Sequence, residues 1–267
     1  MAGLFKNKTI KAKLAGYEIP NFEEKLTILK SWQEAYQNKS LHKKTESQCE
    51  QAFNQSFFIE ILGYKSFPTD PYTLDPKGNV ETSGQKPDAI LGYFSNDKNR
   101  VIAAVEIKDV NTSLDKSQRR EGSLSPVQQA FKYKTQYKEC DFVIATNFFE
   151  IRLLKDNQLD FESFTLESLT DSKENYFEFR KFYYLLNAEN FVAKSGQTNT
   201  LKLLSEIRIE QEEITKDFYR RYKDLRQQLI KNILENNQQA RLREQFYPLA
   251  VEKAQKNNRS LSFYLFL

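Results

Sequence analysis

Residues 87–108 read PDAILGYFSNDKNRVIAAVEIK, and the fold turns on how this stretch pairs. Asp88 to Phe94 has the apolar content of a strand, Asn96-Asp97-Lys98-Asn99 is a hairpin turn, and Arg100 to Ile107 is a strong β run. Asp88 starts the first strand and Glu106 ends the second, with 17 residues between them. Antiparallel pairing around the turn therefore brings those two ends together. Glu106 and Lys108 are separated by one residue, so both side chains leave the same face of the strand. Two carboxylates and a lysine are expected to converge at one end of a sheet.

Upstream, Asn21 with Glu24 reads as a helix start, and Phe22, Leu26, Leu29, Trp32 and Tyr36 fall on one face of a packing helix. Thr45 opens a second helix with Gln48 at the capping-box position; Phe53, Phe57 and Ile61 form its apolar stripe and Gly63 ends it. Glu46 then lies in the first turn, on the core side, with Glu50 one turn later. A short strand is expected near Tyr72 to Leu74. Downstream, Asp109 to Gly122 has no regular pattern. Ser125-Pro126-Val127-Gln128 is a helix start, with a helix to about Tyr137, and two strands follow at Phe142–Ala145 and Glu150–Leu154.

The rest of the chain has a different character. Residues 174–190 read as one aromatic-rich helix, and 201–236 hold no Gly or Pro, which predicts a long helix with Ile207, Ile214, Phe218, Leu225 and Leu229 at 3/4 spacing. The expected layout is an α/β core over residues 1–190, a mixed sheet flanked by helices, and a helical connector over 191–267. The apolar ending SFYLFL suggests continuation into a longer protein or docking on a partner.

Composition excludes several chemistries. The 267 residues are 39% hydrophobic with 21 Phe and 14 Tyr, enough to bury a core. The one histidine, His42, reads as a solvated loop residue and excludes mechanisms needing two. Two cysteines, Cys49 and Cys140, support neither a disulfide framework nor a four-ligand zinc site. No Gly-x-Gly occurs, so phosphate cradles of the dinucleotide-binding and P-loop kinds lack their glycines. With no long apolar run and no signal pattern, a membrane is not expected and a cytoplasmic location is the default. The net charge of +4 is mildly basic.

Asp88, Glu106 and Lys108 suit phosphodiester hydrolysis. Two carboxylates offer hard oxygen ligands to Mg²⁺, for which Mn²⁺ can substitute, and the Ile107 carbonyl could add another. The metal polarises the phosphate and acidifies a bound water, and the lysine orients that water and offsets phosphorane charge. Acid-x-Lys by itself is weak, since it recurs at Glu23, Asp75 and Asp171; it ends an apolar β run at Glu106, and Pro-Asp occurs once, at 87–88. The competing reading is an ordinary strand ending in a surface charge pair.

A helix with an acid, a hairpin carrying Asp and Glu-x-Lys, and a following helix resemble the PD-(D/E)xK nuclease superfamily. Gln129-Ala130-Phe131-Lys132-Tyr133 is similar to the Gln-xxx-Tyr motif of its RecB-like branch, with Gln128 a neighbouring alternative. Leu62-Gly63-Tyr64 and Thr146-Asn147 resemble the nuclease regions of type IIG restriction-modification enzymes. The resemblance covers about residues 40–155 in motif detail. It implies a restriction-endonuclease-like core, Mg²⁺ dependence and cleavage of double-stranded DNA, possible dimerisation, and a methyltransferase and target-recognition region in cis or in trans. It carries catalytic roles to Glu46 (or Glu50), Asp88, Glu106, Lys108 and Gln129, with Tyr133 beside them. No Asn-Pro-Pro-Tyr is present, so the chain could hold the nuclease and connector alone. Lys116, Arg119 and Arg120 after the active strand, and Lys132 and Tyr133 on the next helix, are candidate DNA contacts, as are Lys134 and Lys138. The rival readings are a catalytically silent nuclease-like module that binds DNA or protein, and a helical interaction protein built on residues 201–236.

Overall fold

The computed structural model describes residues 3–78, 86–119 and 122–236. One mixed sheet holds six strands in chain order: β1 (Tyr72–Pro76), β2 (Ala89–Phe94), β3 (Asn99–Ile107), β4 (Phe142–Thr146), β5 (Glu150–Leu154) and β6 (Phe161–Thr165). Neighbours are antiparallel except β3 and β4, which are parallel. A parallel pair requires a crossover. Here the irregular segment after Ile107 and helix α4 (Pro126–Lys134) supply it. The Ser125 hydroxyl accepts from the Gln128 amide at 3.2 Å, and Gln128 Oε1 accepts from the Ser125 amide at 2.9 Å, with Pro126 next. The helix stops at Lys134, short of the expected Tyr137, because the Gln136 and Tyr137 amides close tighter turns onto Tyr133 and Lys134.

The β2–β3 hairpin forms as expected, with one irregularity. The register slips between Leu91 and Gly92, where a Cβ on Gly92 would collide with the Arg100 carbonyl. Only glycine allows the two backbones this close. Beyond the slip Ala89 faces Val105, and the Asp88 amide donates to the Val105 carbonyl at 3.1 Å.

Side-chain alternation divides the sheet into two packed faces. One carries Ala89, Leu91, Ala103, Val105, Ile107 and Ile144, against helices α1 (Asn7–Leu14), α2 (Phe22–Gln37), α3 (Glu46–Phe53) with its π-helical continuation Asn54–Ile61, α5 (Leu166–Thr170) and α6 (Lys173–Leu186). Trp32 of α2 packs edge-on to Phe53 and Phe57, at 5.7 and 5.5 Å between ring centroids. The other face carries Ala104, Val143, Ala145 and Leu154 beneath Val127, Ala130 and Tyr133 of α4.

Several expectations are corrected. Asn21 has a left-handed backbone (φ 54°) and makes no capping bond. His42 sits in a 3₁₀ turn, Leu41–Lys43, 5.0 Å from the Tyr36 ring, and is not a freely solvated residue. The helix expected over 174–190 is two. Glu174, Asn175 and Tyr176 have left-handed angles within α6, and Asn187 is extended. The Asn187 side chain accepts from the Asn190 amide at 3.0 Å and starts a new helix, α7 (Ala188–Phe191). Helices α1 and α5 and strand β6 had no sequence signal strong enough to read.

The long helix is present as α8 (Asn199–Asn236). Its Leu201, Leu203, Leu204 and Ile207 join the large core, and the first compact unit runs to Ile207. From Arg208 a second unit begins, in which Ile214, Phe218, Leu225 and Leu229 are exposed. Among the described residues no helix is long and apolar enough to cross a membrane. The SFYLFL ending lies outside the described residues.

Candidate active site at the end of the hairpin

Asp88, Glu106 and Lys108 meet at the end of β3, and Glu46 joins them from the first turn of α3. The Ile107 amide donates to Asp88 Oδ2 at 2.8 Å, which ties this carboxylate to the neighbouring strand end. Lys108 Nζ lies 2.5 Å from Glu106 Oε1 and 3.4 Å from Glu46 Oε2. The Lys108 amide donates to the Thr146 carbonyl at 2.8 Å, so the parallel β3–β4 ladder continues one residue past β3 and fixes the lysine backbone. A strand residue directs its N–H and C=O to the same side. The Ile107 carbonyl thus faces the side on which Asp88 sits.

α3 starts as the sequence predicts, with the Thr45–Gln48 capping box formed. The alternatives Glu46 and Glu50 are both used. Glu46 reaches Lys108, while Glu50 Oε2 lies 2.9 Å from Lys77 Nζ, itself 3.0 Å from Asp88 Oδ1. Lys77 was not anticipated. Its one sequence signal was the Asp75-Pro76-Lys77 repeat of the acid-x-Lys pattern, indistinguishable there from background.

Glu106 is 2% exposed and pairs across to Ala145, so it lies on the sheet face covered by α4. Gln129 of that helix is 1% exposed, and its Nε2 has no hydrogen-bond partner among the described residues. Gln128 is spent on the helix cap. Of the two neighbours, Gln129 is therefore the one with a buried donor still to satisfy.

Four carboxylates, of Glu46, Glu50, Asp88 and Glu106, surround the two ammonium groups of Lys77 and Lys108, and burial and charge together shift the groups of this cluster. Burial, then the Asp88 charge, pushes the Glu106 carboxyl up to about 8 against the pull of Lys108. Burial also raises Glu46. Burial alone would lower Lys108, but Glu106, Asp88 and Glu46 outweigh it and raise it; Glu50 and Asp88 do the same for Lys77. An isolated ion pair would lower its acid and raise its base. Here both rise: the acids chiefly because they are buried, the lysines because carboxylates surround them.

A carboxyl raised in the folded state contributes stability that is complete below its unfolded value and lost as pH climbs to the folded one. For Glu106 that window runs from 4.5 to about 8. Without divalent metal, Glu106→Gln is expected to gain melting temperature over wild type progressively across this window, with no further gain above it. Parallel melting curves for the two proteins across that pH range would contradict the assignment.

The donor set fits a small hard cation: Asp88 and Glu106 carboxylates, with the Ile107 carbonyl beside them. Mg²⁺ is commonly held by one or two carboxylates with waters and substrate phosphates. Among the described residues no three His, Cys, Asp or Glu side chains are already gathered as a ligand set. Two internal ammonium groups, of Lys77 and Lys108, pair with Asp88 and Glu106.

The candidate DNA contacts divide. Lys116 and Arg119 are exposed on the segment after β3. That segment is anchored by buried Leu114, by Asp115 in a two-pronged pair with Arg152 (2.6 and 3.0 Å), and by the Thr112 carbonyl, which accepts from Asn147 Nδ2 at 2.9 Å. Lys132 is exposed on α4. Tyr133 is packed against Ala104 and Cys140 at 5% exposure, so its ring is a core residue and not a DNA-facing one. Lys134 Nζ is turned onto the Asp141 carbonyl at 2.7 Å, and Lys138 is exposed. Arg120 lies outside the described residues.

Comparisons of the chain with protein-family models, with curated proteins and with solved structures gave no match.

Proposed function

We propose that this chain is a divalent-metal-dependent DNA endonuclease of the PD-(D/E)xK kind, acting within a restriction-modification system. The observation that carries the reading is the meeting of Asp88, Glu106, Lys108 and Glu46 at one strand end. Asp88 and Glu106 would hold Mg²⁺ or Mn²⁺, with the Ile107 carbonyl as a further ligand. When bound, such an ion supplies Lewis-acid polarisation of the phosphate and an acidified water. Lys108, fixed by its backbone and by Glu106, places an ammonium where charge gathers on the phosphorane. Glu46 keeps that ammonium charged and pointed inward. Gln129 has a free buried donor on the Glu106 face and would orient a carboxylate or water there.

Double-stranded DNA is the proposed substrate. Site recognition and methylation would belong to a region in cis or in trans, and cutting both strands would require two copies or two encounters. The direct test is nicking of supercoiled plasmid with Mg²⁺ or Mn²⁺ against a chelator control; no nicking with either metal would remove the reading. A silent nuclease-like module is the second reading, supported by the ammonium groups that already pair with the carboxylates.

With a net charge of +4 and exposed Lys116, Arg119 and Lys132 as its phosphate contacts, the chain alone is expected to bind DNA weakly and with strong salt dependence. Each contact should add about −0.9 to the log–log slope of affinity against salt. Fluorescence anisotropy across a salt series measures it. Tight, salt-independent binding would show a base-reading surface that these residues do not provide.

A further inference from the structure

We propose that Lys77 is the resident cation of the Asp88 carboxylate, an internal competitor that a divalent ion has to displace. This rests on the metal-dependent reading above and adds a control on the same site. Both Asp88 oxygens are engaged. Oδ2 accepts from the Ile107 amide, which the sheet holds in place, and Oδ1 accepts from Lys77 Nζ at 3.0 Å. Lys77 is held to Asp88 twice, since its backbone amide also donates to the Asp88 carbonyl at 2.8 Å. Its φ of 58° is left-handed, a region that a non-glycine residue seldom occupies without a compensating contact. That backbone turn, at the end of β1, sends the side chain back across Asp88 to Glu50.

A divalent ion on Asp88 Oδ1 would sit about 2.0–2.1 Å from that oxygen. An ammonium on the same oxygen would then face it within a few ångströms, and the two like charges repel. One cation has to leave. The Lys108 side chain is 13% exposed on a backbone fixed by β4, whereas the Lys77 side chain is 56% exposed and has Glu50 as a second partner. Lys77 is the one free to swing out, retaining Glu50 or moving into solvent. Glu50 thereby becomes the receiver of the displaced lysine.

An ordinary ion pair linking the end of β1 to α3 predicts something different. Its removal would lower stability and leave metal affinity as it was. Calorimetric titration of Mn²⁺ into wild type, Lys77→Met and Lys77→Arg separates the two. Lys77→Met is expected to bind Mn²⁺ about tenfold more tightly, the scale of one charge-assisted hydrogen bond taken from the competitor. Lys77→Arg, which keeps the charge, should stay near wild type. Amine acylation of the wild-type protein, read by mass spectrometry, should show Lys77 labelled several times faster once Mg²⁺ is added. Unchanged or weaker Mn²⁺ binding in folded Lys77→Met overturns the proposal. Should that variant not fold, Lys77 labelling indifferent to Mg²⁺ overturns it. A wild-type protein that neither binds Mn²⁺ nor nicks DNA ends both this inference and the nuclease reading. A wild type that does both, with Lys77→Met no tighter, ends this inference alone.

Discussion

Asp88→Ala and Glu106→Gln are each expected to lower metal-dependent nicking of plasmid DNA by on the order of 10³-fold, with circular dichroism unchanged. The two losses have different physical routes. Asp88 is the link between strands: its Oδ2 takes the Ile107 amide and its Oδ1 takes Lys77, so alanine removes a metal ligand and frees two donors at once. Ile107 is fully buried, so the freed amide costs about 1–3 kcal/mol, a loss the fold should survive. Glu106 is 2% exposed and is the nearest partner of Lys108. Glutamine keeps its volume and a carbonyl acceptor for that ammonium while withdrawing the negative oxygen that a divalent ion needs. Alanine is the harsher change. It empties a site that is 2% exposed and leaves the Lys108 ammonium, 13% exposed, with Glu46 at 3.4 Å as its remaining ion-pair partner among the described residues. Glu106→Ala should therefore lose stability as well as activity, and Glu106→Gln only activity. Full nicking by folded Asp88→Ala or Glu106→Gln would remove this site from the mechanism.

The contrast between Lys108 and Lys77 shows what a sequence makes legible here. Lys108 follows an apolar β run two residues after an acid, and the alternation of a strand places both on one face. The capping residues Thr45 and Gln48 likewise fix where α3 begins, which puts Glu46 in its first turn. Both inferences use local periodicity, and both survive. Lys77 depends on a left-handed turn after β1, a backbone state that the Pro76-Lys77-Gly78 tripeptide permits but does not require. Its pairing with Glu50 spans a strand and a helix, so no spacing rule reaches it. The same limit explains Tyr133. A Gln-xxx-Tyr spacing puts both residues on one helical face, and the sequence alone cannot tell whether that face meets solvent or a sheet. The packing of Ala104 and Cys140 against the ring decides for the sheet. The choice between Gln128 and Gln129 was open for a related reason. Both stand at the start of α4, and only the formed cap shows that Gln128 is occupied.

Lys108→Met is expected to slow single-turnover cleavage by about 10²–10³ while leaving Mn²⁺ affinity, at a pH where Glu106 is ionised, equal to wild type or slightly tighter. The argument runs through charge and position. Nζ of Lys108 is 2.5 Å from Glu106 Oε1, an oxygen that would otherwise be offered to the metal. An ammonium is no ligand, and beside a divalent ion it repels, so its removal cannot weaken metal binding through lost coordination. Its value lies in the transition state. Negative charge then gathers on the phosphorane, and a fixed cation of low reorganisation stabilises it more than the ground state. The fixity comes from two sources already in place: the hydrogen bond that the Lys108 backbone N–H donates to the Thr146 carbonyl, and the pull of Glu46 on the side chain. Methionine keeps most of the length and volume of the lysine stem, so packing against the strand end should persist. One change does follow in the ground state. Without the ammonium, Glu106 loses the cation that draws its carboxyl down, and its proton is held still more firmly in the metal-free protein. Metal affinity should accordingly be measured above pH 8 as well as at neutrality, where that proton competes with Mn²⁺. The decisive comparison uses one folded preparation: Mn²⁺ affinity by calorimetry, and cleavage at saturating metal. If affinity collapses at both pH values while cleavage at saturation is normal, Lys108 organises the metal site and does not act on the phosphate. If cleavage falls and affinity holds, the ammonium acts where the bond breaks.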